Sequence, residues 1–151
     1  MKKALSILLA VCMVFALCAC GSTTDRPFSP DLVDKLLEAD VFSESLEPLD
    51  PEIACFLYQL DPEQTGLTDL RACRSAGATC EEVAVFTFGS ESGAASALSV
   101  LNGYLSTRLS SCRDYMPNQV PKLEHATLTQ RENTILFLVA DDWTAAAKLI
   151  Q

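Results

Sequence analysis

The chain holds one histidine and one tryptophan in 151 residues, and its 11 basic side chains are outnumbered by 20 acidic ones. The shortage of positive charge argues against a nucleic-acid partner and against electrostatic adhesion to anionic lipid. The lone His125 restricts nucleophilic catalysis to one place, because a serine or cysteine nucleophile needs a nearby base and a third group to orient it. No Gly-x-Ser-x-Gly elbow is present. Zinc is not expected either: of the four cysteines after residue 20, only Cys73 and Cys80 lie close in sequence, and no second pair matches them. No other cofactor is indicated.

A long apolar run is also missing. Ala4 to Ala19 falls short of the roughly 20 residues that a membrane span requires. What the first residues do carry is the pattern of a secretion signal. Lys2 and Lys3 form a positive start, Ala4 to Phe15 is apolar apart from Ser6, and Leu17-Cys18-Ala19-Cys20 has the form of a lipobox. The small Ala19 would admit a peptidase before Cys20, and the thiol would then receive a diacylglyceryl group. Cys18 is a poorer acceptor, because bulky Leu17 precedes it. Two chains meet the requirement for stable anchoring, at about 0.8 kcal/mol per buried methylene. The expectation is therefore a palmitate-type lipid anchor on the extracytoplasmic face of the cell membrane. Residues 1–19 are the signal, 20–27 the lipidated cysteine and a small polar tether, and 28–151 one globular domain.

Removing residues 1–19 takes away two lysines and no acids, so the remaining 132 residues hold nine basic against 20 acidic side chains. A chain this size suffices for a single ordinary core.

Along the domain, Ser29-Pro30-Asp31 predicts a helix start, with Leu32, Val33, Leu36 and Leu37 on one face. A loop rich in Glu and Ser follows. Asp50-Pro51-Glu52 repeats the signal, and Ile53, Phe56, Leu57 and Leu60 form a second stripe that Asp61-Pro62 ends. The period then changes. Leu67 to Arg74 and Val83 to Phe88 predict strands. A turn on Ala76-Gly77 would set Arg71 against Glu82 and Cys73 against Cys80, although a wider loop also fits. The segment from Ser90 to about Arg113 predicts the longest helix, with Ala94, Leu98, Leu101, Leu105, Leu109 and Cys112 as its buried stripe and Gly103 as a point of close packing. Ala126–Gln130 and Thr134–Ala140 predict a second hairpin, and Asp141-Asp142 a cap for a last helix. The expected fold is α+β: a mainly antiparallel four-stranded sheet made of two β-β-α units, covered by helices and preceded by two short ones.

From Leu49 to Ile150 the chain resembles a bacterial lipoprotein family of Firmicutes, domain of unknown function 4358. The resemblance rests on Leu57-Tyr58-Gln59-Leu60-Asp61, on the block from Gly77-Ala78-Thr79-Cys80-Glu81-Glu82 to Val83-Ala84-Val85-Phe86, on Arg108, and on Tyr115-Met116-Pro117 with Lys122-Leu123. In that family alanine is usual where this chain has Cys80, and acids are common where it has Asn118 and Gln119. The resemblance implies a secreted, lipid-anchored, Gram-positive α+β domain without an assigned activity.

Chemistry-bearing residues each have a plain structural reading. Beyond Cys20, four cysteines allow three pairings. Cys73–Cys80 is the candidate disulfide, while Cys55 and Cys112 read as small core residues on apolar helix faces. His125 reads as the start of an edge strand, Asp141-Asp142 as a helix cap, Glu81-Glu82 as a solvated strand opening, and Tyr58 and Tyr115 as rings sealing the core. The expected function is a non-catalytic module that binds a peptide or an envelope protein, with no nucleic-acid role. The alternative is a small hydrolase or metal-assisted enzyme using Asp141, Asp142 and His125.

Overall fold

Two strands, over Glu82–Phe88 and Thr134–Val139, are buried almost from end to end. A strand apolar on both faces needs cover on both, and the rest of the chain supplies it. The computed structural model describes residues 26–151. The signal, Cys20 and the tether as far as residue 25 lie outside the described residues.

In chain order the elements are α1 (Asp31–Glu38), β1 (Glu47–Pro48), α2 (Pro51–Tyr58), α3 (Pro62–Thr65), β2 (Leu67–Arg74), β3 (Glu82–Phe88) and α4 (Glu91–Tyr115). A 3-10 turn at Pro117–Gln119 leads to α5 (Val120–Glu124), β4 (Thr127–Arg131), β5 (Thr134–Val139) and α6 (Trp143–Leu149). The fold is α+β. Its strands form one antiparallel five-stranded sheet in the order β1-β2-β3-β5-β4. The fifth strand comes from the segment read as a loop: Glu47 and Pro48 pair with Arg74 and Cys73 at the sheet edge, and the Leu49 N–H donates to the Ala72 carbonyl at 2.9 Å.

Alternate residues of β3 and β5 feed two cores. Ala84, Phe86, Phe88, Ile135 and Phe137 pack with Tyr58, Leu101 and Tyr104. Val83, Val85, Leu136 and Leu138 pack with Val33, Leu36 and Ala146. The sheet thus lies between α2, α4 and α5 on one face and α1 and α6 on the other. The two β-β-α successions are present, but their helices sit on opposite faces and differ greatly in length.

Local signals act as read. Asp50 accepts from the N–H groups of Glu52 and Ile53, and Asp142 from that of Ala145. Asp61 both follows α2 and caps α3. Packing overrides three readings. On α2 the buried residues are Ala54 and Tyr58, while Ile53 and Phe56 are 55% and 84% exposed. On α4 the inward face turns to include Ala97 and Tyr104, leaving Leu98, Leu105 and Leu109 at its margin. The close approach on that helix is at Gly93, where a methyl would collide with the Thr65 carbonyl. Around Gly103 there is open space.

The register of β2 on β3 differs as well. Arg74 faces Glu82, Arg71 faces Val85 and Cys73 faces Val83. The connection is wider than a two-residue turn because the Ser75 hydroxyl accepts from the N–H groups of Gly77 and Thr79, which rounds the chain over Ser75–Glu81. Gly77 takes φ +121° there. Three residues of shift put the thiols on opposite faces: Cys73 lies in the α1/α6 core and Cys80 in the α2/α4 core. The Cys73–Cys80 disulfide is not formed, and Cys55, Cys73, Cys80 and Cys112 are all free.

Candidate functional site

Glu81 immediately precedes β3 and Glu82 opens it, and both are fully buried, against the reading of a solvated pair. Their side chains leave the strand on opposite faces, as adjacent strand residues must. Each finds its own cation.

Glu82 points to the α2/α4 face. Tyr58 and Tyr104 donate their hydroxyls to its Oε2, both at 3.3 Å, and Arg108 forms an ion pair with its Oε1. Tyr104 and Arg108 stand one helical turn apart on α4, so one helix delivers both groups. Arg108 also donates to the Cys80 carbonyl at 3.3 Å, which closes the end of the sheet. Tyr58 meets the Tyr104 and Phe86 rings edge to face, at 5.1 and 5.2 Å between centroids. Burial pushes the Glu82 carboxyl up, and the opposing pull of Arg108, Arg74 and the two phenols does not cancel it. Burial lowers Arg108, but the Glu82 carboxylate outweighs it and holds the guanidinium above its ordinary value. Burial and then Glu82 push Tyr104 up to about 12 and Tyr58 well above its ordinary value.

Glu81 faces the other side. The Ser43 N–H and hydroxyl donate to it at 3.0 and 2.6 Å, and Lys122 from α5 forms an ion pair with it. Lys122 also reaches Asp141 at 2.6 Å. Burial would lower the Lys122 ammonium, but hydrogen bonds to Asp141 and Glu81 hold it above its ordinary range. One lysine therefore ties together α5, the loop after α1, the start of β3 and the corner before α6. Among the described residues no buried side-chain N or O lacks a hydrogen-bond partner.

The remaining candidates are spread differently. Asp142 caps α6 and Asp141 holds Lys122. His125 ends α5, stacks on Trp143 at 4.2 Å and donates from Nδ1 to the Pro121 carbonyl at 2.8 Å. Tyr58 seals the core, whereas Tyr115 is 84% exposed and does not. Burial raises the Cys80 thiol to about 11, and its Sγ lies 3.5 Å from the Gln119 carbonyl, so it stays protonated.

Beside the Glu82–Arg108 pair a groove of about 370 Å³ opens between the ends of α2 and α4. Leu57, Gln59, Arg74, Arg108, Tyr115 and Met116 are among its lining residues.

No family model, curated protein or solved structure matches the chain. Tyr58, Glu81, Glu82, Arg108, Tyr115 and Lys122 are gathered at this end of the sheet. Sequence reasoning missed the burial of the acid pair. The available signal was its position: two acids opening a strand that is apolar on both faces must point one into each layer.

Proposed function

We propose that the protein is a lipoprotein of the extracytoplasmic face of the cell membrane. A diacylglyceryl group on Cys20 holds it there, and its folded domain binds a peptide or an envelope protein without catalysing a reaction. Membership of the Gram-positive lipoprotein family belongs to this proposal. The observation that carries the binding reading is the contrast at the sheet end. The buried acids are committed to internal partners, Glu82 to Arg108 and two phenols, Glu81 to Lys122 and Ser43. The groove beside them is left open and lined by apolar and hydrogen-bonding groups. Such an arrangement supplies a rigid wall for recognition. The alternative built on His125, Asp141 and Asp142 gains no such support, since each side chain already has another partner.

Labelled palmitate is expected to enter the native chain and not a Cys20→Ala variant, which should also lose membrane retention. Equal processing and retention of the two would overturn the anchor. Affinity capture from native envelope should recover a partner, and recovery of background alone, with and without cross-linking, would count against the binding module.

A further inference from the structure

The groove between α2 and α4 is lined by a charge that no direct contact closes off. Arg74 ends β2 on the face that carries Ala72 and α4, is half-buried, and lines the groove. Among the described residues its side chain makes no ion pair and no hydrogen bond, while Arg71, Arg108, Arg113 and Lys122 all do. Arg108 and Glu82 neutralise each other, so the cluster of three retains one positive charge. No acid lines the groove, although the chain carries a formal charge of −9. By register Arg74 faces two acids, the buried Glu82 across β2–β3 and the exposed Glu47 across β1–β2. Glu82 is ion-paired with Arg108 and feels Arg74 only as a neighbouring charge, and neither acid forms an ion pair with Arg74.

The neighbouring surfaces narrow the ligand. Leu57, Met116 and the exposed Tyr115 ring offer apolar contact, and Gln59, Thr107 and Ser111 offer hydrogen-bonding side chains. The volume of about 370 Å³ falls at the small end of ligand clefts. A guanidinium with free donors matches a planar carboxylate in two parallel bonds. The C-terminal ends of α2 and α4 bring partial negative charge. Cap N–H groups of Gln59, Leu60 and Met116 already bond their terminal carbonyls, however, and a dipole is weaker than a full cation beyond the last turn.

We propose that this groove captures the C-terminal carboxylate of a short apolar peptide, with Arg74 as its anion-binding residue and Tyr115 packing on the last side chain. The proposal rests on the reading of the domain as a binding module. The test uses the purified full chain in neutral detergent. Its probes are acetyl-Ala-Ala-Phe with a free C-terminus, the same peptide amidated, and inorganic phosphate, with binding followed by calorimetry and peptide mass by mass spectrometry. The acid should bind at least about tenfold more tightly than the amide, the worth of one charge-assisted contact. Arg74→Leu should abolish that difference, Tyr115→Ala should weaken acid and amide alike, and Glu47→Gln should leave the preference intact or enlarge it. Tyr115 is exposed, so its variant keeps the test valid if Arg74→Leu folds poorly. Equal binding of acid and amide, no binding at millimolar peptide, or phosphate binding as well as the acid would overturn the proposal. Shortening of the bound peptide would instead overturn the non-catalytic reading and leave the groove assignment standing.

Discussion

Replacing Arg108 by methionine keeps the length of an unbranched side chain and removes the cation in contact with Glu82. The carboxylate is fully buried and would retain only two phenol donors at 3.3 Å. Breaking a buried pair by removing one partner costs about 3–5 kcal/mol. A domain of this size has roughly 5–15 kcal/mol in all. With a urea slope of about 2 kcal/mol per molar, the midpoint should fall by roughly 2 M. The sign of the pH dependence follows from the same charge. Glu82 already lies above its ordinary value through burial, and loss of Arg108 raises it further. A carboxyl raised in the folded state costs stability as pH climbs past its unfolded value near 4.3. The gap between variant and native should therefore be largest at neutral pH and shrink toward pH 4, where Glu82 carries its proton. Glu82→Gln should be milder, because Arg108 is partly exposed at the groove and water can solvate it. Adding Glu82→Gln to Arg108→Met should recover part of the loss. Urea unfolding followed by the single tryptophan, Trp143, measures all three. A gap below about 1 kcal/mol at pH 7, or one equal at pH 4 and pH 7, would refute the account.

The two helical glycines of α4 should respond with opposite signs. Gly103→Ala meets open space and should stabilise by about 1 kcal/mol, the difference in helix propensity. Gly93→Ala drives its methyl against the Thr65 carbonyl and should destabilise despite the same propensity gain, as thermal unfolding of the pair would reveal. Tyr58 and Tyr104 hold their protons above the ordinary value, so their contribution is complete below pH 10 and drains away as pH rises beyond it, for Tyr104 through about 12. Stability should fall by about 1.4 kcal/mol per pH unit for each phenol in that window, and Tyr58→Phe should make the fall shallower. Gln59, with φ +57° at the end of α2, should gain about 1 kcal/mol on replacement by glycine, and an unchanged melting temperature would show that the turn carries no strain.

Helix starts at Asp50 and Asp142, the strands over Leu67–Arg74 and Glu82–Phe88, the long helix and the second hairpin all follow from signals a few residues long. A carboxylate that bonds an N–H two or three positions on, or an apolar period of two, needs no distant partner. The same range explains the errors. Which face of α2 turns inward, whether Ser75 widens a turn, and whether two acids meet water all depend on what packs against them. Glu82 meets Tyr58 and Arg108 from 24 and 26 residues away, and Glu81 meets Lys122 from 41 away. An acid is solvated unless a cation and donors arrive together to offset its lost hydration. The chain's order of residues thus set most of the elements, while the sheet's cover on both faces decided that Glu81 and Glu82 would be buried, that Cys73 and Cys80 would be parted, and that Arg74 would be left facing a groove.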